Sequence, residues 1–128
     1  MPEIVITGTG LFTPPHSISN AELVASLTIS VGRWNAEHAA EIGSGAIVPR
    51  ALPDEEFILK ASGIHSRFVI EKSGVLDPDR LRPRLDLRAE DELGLQAEMA
   101  MPAIHEALAQ AGRAGRDVDA IIVGCSNL

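Results

Sequence analysis

Length and composition fit a single globular domain: the chain has 128 residues, of which 45% are apolar and 23% charged. Its aromatic residues are three Phe and one Trp. The formal net charge of −7 and the scarcity of aromatic rings argue against nucleic-acid binding, which needs a basic surface and stacking platforms. No apolar run reaches the roughly 18 residues of a membrane helix, and one cysteine excludes an internal disulfide, so we expect a cytoplasmic protein without a membrane helix or secretory signal.

The first predicted element is a strand. Residues 4–10, Ile-Val-Ile-Thr-Gly-Thr-Gly, are typical of a buried strand that ends in a tight turn. A strand followed by glycines also suggests a dinucleotide-binding site. The Rossmann fingerprint, however, needs a third glycine and a helix directly after the strand, and Pro14 and Pro15 disfavour a helix there. We therefore do not favour nucleotide binding.

Three short helices are predicted in the first half of the chain. Ser19 and Glu22 have the spacing of a capping box at the start of the first helix. The second is predicted over residues 34–42. The third is predicted to begin near Asp54 and to end at Gly63, a residue suited to a carboxyl-terminal cap.

The second half of the chain predicts a strand, a long loop, a helix and a second buried strand. Residues 66–71 are strand-like, and residues 71–88 are rich in Gly, Pro, Asp and Arg. Apolar spacing predicts a helix over residues 89–111, with acidic residues in its first turn and a kink at Pro102. Residues 118–123 are almost wholly apolar and β-branched, as in a parallel strand covered on both faces. The order of helix, short connection and buried strand is half of a βαβ unit and predicts an α/β fold.

Four arginines lie close together in the predicted loop: Arg80, Arg82, Arg84 and Arg88. Aspartates are interleaved with them, so we interpret the run as a solvated loop. The alternative is a docking patch for an acidic partner or a phosphate.

Few residues suggest catalysis by themselves. Cys125, at the end of the last predicted strand, is a candidate nucleophile, but no base lies near it in sequence, so we favour a buried structural thiol. The four histidines lack the spacing of a metal site on one helix, and we predict no metal or other cofactor. They are His16, His38, His65 and His105.

Several segments together resemble, in order, the first part of 3-oxoacyl-[acyl-carrier-protein] synthase III. The segments are residues 6–14 (ITGTGLFTP), 19–23 (SNAEL), 61–69 (ASGIHSRFV), the Ala- and Met-rich helix, and 121–127 (IIVGCSN). The similarity runs over essentially the whole chain. It implies a thiolase-like fold, in which two similar βαβαβ halves pack helices on sheets, normally in a homodimer.

The resemblance also implies an activity, the decarboxylative condensation of an acyl primer with malonyl-acyl carrier protein in fatty acid biosynthesis. The reaction of this family passes through an acyl-cysteine. Cys125 matches a strand that precedes the family's nucleophile, so the catalytic Cys, His and Asn are expected beyond Leu128. The alternative is a non-catalytic thiolase-like subunit that pairs with a catalytic partner chain.

Substrate-binding residues follow from the same resemblance. Phe57 lies where members that use coenzyme A carry an aromatic residue, typically Trp, that stacks on adenine. Ala61 replaces a phosphate-contacting Arg, and Lys60 lies beside it. These departures favour a primer carried by acyl carrier protein over a coenzyme A thioester. Arg67 matches the Arg of a Gly-Ile-x-x-Arg motif, where either a structural role or a ligand contact is possible.

In terms of domains, residues 1–128 are interpreted as the amino-terminal part of a condensing-enzyme domain. Extra segments are expected near residues 29–53 and 71–88. These segments are expected either to cap the acyl tunnel or to extend the dimer contact.

Overall fold

The computed structural model describes residues 3–124, which divide into two compact units. Residues 14–87 form what we call the central unit. The terminal unit consists, within the described chain, of residues 3–13 together with residues 88–124.

The central unit combines three helices with one small antiparallel sheet. Its first strand pairs with its second so that His16 lies opposite Val69 and Ser19 opposite Ser66. Ile18, in the first strand, is fully buried. The elements are β1 (His16–Ser19), α1 (Asn20–Glu37), α2 (Ala39–Gly43), α3 (Glu55–Ser62) and β2 (Ser66–Val69). This is a mixed α/β arrangement.

The predicted start of α1 is confirmed. The Ser19 hydroxyl accepts a hydrogen bond from the Glu22 N–H at 3.2 Å, and the Glu22 carboxylate accepts one from the Ser19 N–H at 2.9 Å. The predicted break after a short helix is wrong, because α1 runs on for 18 residues. A single glycine, Gly32, is not enough to end a helix, so the second predicted helix is divided between α1 and α2.

Local caps also set both ends of α3, as predicted. The Asp54 side chain accepts a hydrogen bond from the Glu56 N–H at 3.0 Å. At the other end, Gly63 adopts a left-handed conformation with φ of 69°, which a residue with a Cβ adopts only with strain.

The terminal unit contains the last long helix, α4 (Leu95–Ala111), and a short 3₁₀ turn over Gly115–Asp117. The predicted start at Ala89 is wrong, because the Glu92 carboxylate accepts the Ala89 N–H at 2.9 Å in a separate turn. The acidic residues 90–92 therefore precede α4. The helix passes through Pro102 and ends, as predicted, before Gly112.

Neither of the two long predicted strands is formed in the described chain. Residues 4–10 and 118–123 have no strand partner, and their apolar side chains are open to solvent, with Ile4 97% and Ile122 96% exposed. A strand exists only where a neighbouring strand accepts and donates its backbone hydrogen bonds. The predicted parallel sheet is thus absent from residues 3–124, and β1 and β2 form the sheet seen there.

The amino-terminal segment instead lies along α4. The Thr9 N–H donates to Gln110 Oε1 at 2.6 Å, and the Leu11 N–H donates to Glu106 Oε2 at 2.9 Å. A Cβ placed on Gly10 would lie 1.9 Å from the Ala103 carbonyl oxygen. The absence of a side chain at Gly10 therefore permits close packing of this segment on α4.

Candidate functional site

Two of the predicted substrate-binding residues lie on α3. Phe57 and Lys60 are three residues apart and are therefore neighbours on one helix face. Phe57 is 68% exposed, and Lys60 is the basic residue of the last turn. This face offers an apolar ring and an ammonium group to a ligand.

The third predicted residue, Arg67, has a partner inside the protein. It lies on β2, half-buried, and its Nη2 donates to Asn20 Oδ1 at 2.7 Å. Its Nη1 is enclosed and has no hydrogen-bond partner among the described residues. The guanidinium thus links β2 to the first residue of α1.

Asn20 connects this pair to the end of α3. It is 2% exposed, and its Nδ2 donates to the Ile64 carbonyl at 2.6 Å. Its own backbone N–H donates to the His65 carbonyl at 3.1 Å. One buried amide therefore holds the connection between α3 and β2 just beyond the Gly63 cap. The structure shows Arg67 as an anchor of this connection, whereas Phe57 and Lys60 are exposed.

The predicted loop over residues 71–88 is irregular but strongly hydrogen-bonded. The Glu71 carboxylate accepts hydrogen bonds from the Ser73 hydroxyl, the Ser73 N–H at 2.6 Å, the Gly74 N–H at 2.9 Å and the Arg84 N–H at 2.7 Å. These bonds, that of the Ser73 hydroxyl foremost, favour the charged carboxylate and lower the pKa of Glu71 to about 2.

The same loop is attached to α1. Lys72 forms a 2.5 Å ion pair with Glu22, and this partner, together with Ser19, lowers the pKa of Glu22 to about 2. The Ser26 hydroxyl donates to the Leu76 carbonyl at 2.7 Å. The loop is therefore a fixed part of the central unit.

The four clustered arginines divide into two paired and two unpaired side chains. Arg84 forms an ion pair with Asp77 and also donates to the Ser73 hydroxyl, and Arg88 forms an ion pair with Glu98. Arg80 donates to the backbone carbonyls of Arg82 and Pro83. Within residues 3–124, the Arg82 side chain makes no hydrogen bond or ion pair. Among the described residues, Arg84 pairs with one of the interleaved aspartates, Arg88 pairs with a carboxylate of α4, and Arg80 and Arg82 form no ion pair.

A second ordered feature lies in the other predicted extra segment. The Arg50 guanidinium lies 4.0 Å above the Trp34 ring, and the His38 ring stacks on Trp34 with centroids 4.2 Å apart. Asn35 exchanges two hydrogen bonds of 2.9 Å with the backbone of Arg50. These contacts hold the segment before α3 against α1.

The described residues form neither a metal site nor a membrane-spanning helix. Across residues 3–124, no group of three or more His, Cys, Asp or Glu side chains converges. None of the helices in that range is both long and apolar enough to span a bilayer. Cys125 lies outside the described residues.

Comparison with known proteins gives one clear relationship. No family model matches the chain. It is 47% identical over 103 residues to the beta-ketodecanoyl-[acyl-carrier-protein] synthase of Pseudomonas aeruginosa strain PAO1. The predicted resemblance to a 3-oxoacyl-[acyl-carrier-protein] synthase III is confirmed. The aligned region is 80% of this chain but 29% of that synthase, so the chain spans less than a third of its relative.

Two residues that organise the ketoacyl-synthase-like chain were missed from the sequence. Asn20 follows directly after a helix cap, where a polar residue is usually solvated, and its partner Arg67 is 47 positions away. Glu71 lies in a Gly- and Pro-rich segment that is typical of a surface loop. The available signal was a carboxylate with Ser-Gly two residues further on, since Ser73 and Gly74 can offer consecutive N–H groups to Glu71.

Proposed function

We propose that this chain is part of a thiolase-like condensing enzyme. The enzyme would form 3-oxoacyl thioesters from an acyl primer and malonyl-acyl carrier protein in fatty acid biosynthesis. The 47% identity to a beta-ketodecanoyl-[acyl-carrier-protein] synthase carries the proposal. The mixed α/β structure is compatible with it, and the unpaired apolar runs at residues 4–6 and 121–123 suit strands of a larger sheet.

The chemistry assigned to the whole enzyme is a carbon–carbon bond formation. The cysteine thiolate first attacks the primer's thioester, takes over its acyl group and releases the carrier thiol. Malonyl thioester then loses CO₂, and its carbanion attacks the acyl carbonyl and expels the cysteine thiolate. In this proposal the catalytic Cys, His and Asn lie outside residues 3–124. No resident cofactor takes part in the reaction. The enzyme is proposed to be cytoplasmic and homodimeric.

The contribution of this chain would be made at the entrance to the primer site. The exposed ring of Phe57 offers an apolar surface to the pantetheine arm of a primer, and the Lys60 ammonium can pair with its phosphate. Arg67 and Asn20 would position α3 through the connection between α3 and β2, without touching substrate. The primer is proposed to be an acyl carrier protein thioester in preference to a coenzyme A thioester.

The test is a condensation assay on the protein in its complete natural form. Acyl-acyl carrier protein or acyl-coenzyme A would be incubated with malonyl-acyl carrier protein, and the 3-oxoacyl product would be measured by mass spectrometry. We expect product from the carrier-protein primer. Lys60→Glu should raise the KM for the primer about tenfold with kcat little changed, since it reverses one charge in a binding contact. Absence of product with both primers would refute the proposal.

A second function is favoured by the exposed surface. Each unit exposes large apolar side chains, among them Phe57 and Phe68 in the central unit and Ile4 and Ile122 in the terminal unit. Such a surface also suits a non-catalytic thiolase-like subunit that pairs with a catalytic chain. In that case the purified protein would give no product alone, and activity would appear when a cysteine-bearing partner that co-purifies with it is added back.

A further inference from the structure

Residues 44–53, here called the strap, join α2 to α3 and are attached to α1 through Arg50. The Asn35 Nδ2 donates to the Arg50 carbonyl, and the Arg50 N–H donates to Asn35 Oδ1, each at 2.9 Å. A side-chain amide has both donor and acceptor groups, so it bonds to a backbone much as a neighbouring strand would. The backbone of Arg50 is therefore fixed on α1 by two hydrogen bonds of opposite direction.

The side chain of Arg50 makes a further contact with the same helix. Its guanidinium lies 4.0 Å from the centre of the Trp34 ring, in a cation–π arrangement. Trp34 is held in turn by His38, whose ring stacks on it with centroids 4.2 Å apart and whose Nδ1 donates to the Trp34 carbonyl at 2.8 Å. The indole is half-buried, so it offers Arg50 a firm surface and not a mobile one.

A short, stiff stretch of chain connects Arg50 to the start of α3. Three residues, 51–53, separate it from Asp54, whose side chain caps α3. The last of them is Pro53, which has a restricted φ and also restricts the residue before it. A movement of Arg50 would therefore be passed on to Asp54, and the position of Arg50 limits where α3 begins.

The other end of α3 is held from the same helix. Asn20, the first residue of α1, donates from Nδ2 to the Ile64 carbonyl and from its backbone N–H to the His65 carbonyl. Asn20 and Asn35 are close to four turns apart, at about 3.6 residues a turn, so they lie on the same side of α1. This one continuous helix of 18 residues thus supports α3 at both ends, each time through an asparagine.

We propose that Asn35 is a positioning residue for the primer. Through Arg50 it fixes the start of α3, whose exposed side chains at Phe57 and Lys60 receive the primer in the proposed function, on which this inference rests. The strap accordingly holds the entrance helix, and neither caps the acyl tunnel nor extends a dimer contact. A helix fixed at both ends has its binding groups in place before the primer arrives, which reduces the entropy cost of binding.

The experiment measures steady-state condensation by the complete protein, with acyl-acyl carrier protein varied and malonyl-acyl carrier protein at saturation. The test variant is Asn35→Ala. The matched control is Ser44→Ala, which removes a 2.9 Å hydrogen bond between the strap and Glu41 of α2. We expect Asn35→Ala to raise KM for the primer at least about fivefold and to change kcat less than about twofold, because it disturbs binding and not the reacting groups. The control should leave both constants within about twofold.

Two further measurements distinguish positioning from a general loss of structure. In a protein that already carries Phe57→Ala and Lys60→Ala, Asn35→Ala should raise KM less than about twofold further, since the groups that it positions are gone. Asn35→Asp keeps the acceptor for the Arg50 N–H and should raise KM less than Asn35→Ala does. Hydrogen exchange at the Arg50 amide should accelerate in Asn35→Ala and stay unchanged in the control.

The outcomes separate this inference from the proposed function. An unchanged primer KM in Asn35→Ala would overturn the positioning role, and so would an equal increase whether or not Phe57 and Lys60 are present. A changed preference for acyl-chain length, or a weaker dimer, at unchanged KM would overturn it in favour of a tunnel cap or a dimer contact. When the unaltered protein condenses acyl groups normally, these results concern the strap alone. If the unaltered protein shows no condensation, the proposed function fails and the positioning role fails with it.

Discussion

Asn20 shows how one buried side chain can fix the geometry of neighbouring elements. Its amide accepts from Arg67 and donates to Ile64, so removal leaves the part-buried Ile64 carbonyl and Arg67 Nη2 without these partners. We predict that Asn20→Ala lowers the free energy of unfolding by about 2–3 kcal/mol. Asn20→Asp should cost less, because a carboxylate still accepts from Arg67.

The control for this prediction is Asn35→Ala, which also removes two hydrogen bonds but at a more exposed position. It should cost about 1 kcal/mol or less. Urea denaturation of the three variants measures these differences. The anchoring role of Asn20 would be wrong if Asn35→Ala proved as destabilising as Asn20→Ala.

Glu71 gives a prediction on pH. Its pKa falls from 4.5 to about 2 on folding, because Ser73, Arg84 and Gly74 donate hydrogen bonds to the carboxylate. The folded state therefore gains stability that is fully present above pH 4.5 and is lost as the pH falls through about 2. Glu71→Gln lacks this contribution. The difference in unfolding free energy between the two proteins should be greatest above pH 4.5 and should shrink toward pH 2.

Glu22 titrates in the same range but is present in both proteins, so its effect cancels from the comparison. Chemical denaturation at a series of pH values provides the measurement. A difference that stays constant from pH 6 to about 2 would show that the hydrogen bonds of Glu71 do not favour its charged form.

At the scale of elements, local helix caps were predictable, and of the predicted strands β2 (Ser66–Val69) is the one that forms in the described chain. Ser19, Asp54, Gly63 and Gly112 act through bonds or conformations within a few residues, and all four caps are confirmed. The partners of a strand lie far away in sequence. β1 contains one strongly apolar residue, Ile18, and its pairing with β2 could not be deduced from His-Ser-Ile-Ser alone.

The segment along α4 illustrates a pattern whose physical cause was misassigned. Glycines after an apolar run suggested a turn, whereas Gly10 allows the backbone to approach a helix. We predict that Gly10→Ala destabilises the terminal unit by about 1–3 kcal/mol, the usual cost of overpacking. Hydrogen exchange of the Thr9 and Leu11 amides should accelerate, because their bonds to α4 would break.

Gly115→Ala is the matched control, since a Cβ at that position meets nothing within 4 Å. It should leave exchange at Thr9 and Leu11 unchanged. Equal effects of the two substitutions would mean that chain flexibility, and not contact with α4, makes glycine necessary at position 10.

For the predicted site, the sequence identified candidate residues but not their roles. Phe57 and Lys60 lie on a helix whose boundaries are local properties, so their shared exposed face was predictable. The role of Arg67 depends on Asn20, which is distant in sequence and buried by folding. The separation of paired from unpaired arginines likewise depends on carboxylates that the tertiary structure brings close.

At the scale of the whole molecule, the exposed apolar area makes the behaviour of the isolated 128-residue chain predictable. Within the described residues, highly exposed apolar side chains include Ile4, Ile6 and Ile122. A chain that leaves so much apolar surface in water in the folded state exposes less additional surface on unfolding. We therefore expect a urea m-value near the low end of the roughly 1–3 kcal/mol/M of small proteins, together with strong binding of the dye ANS.

Ile4→Lys with Ile6→Lys provides the control, because it replaces exposed apolar groups without removing a packed side chain. Dye binding should fall in this variant while the m-value hardly changes. Weak dye binding and a high m-value in the unaltered chain would contradict the prediction, since they would require that these runs be covered. Association with a second copy of the chain would cover these apolar runs. It would appear as a concentration-dependent sedimentation coefficient, because the surface is buried only when the protein concentration exceeds the dissociation constant.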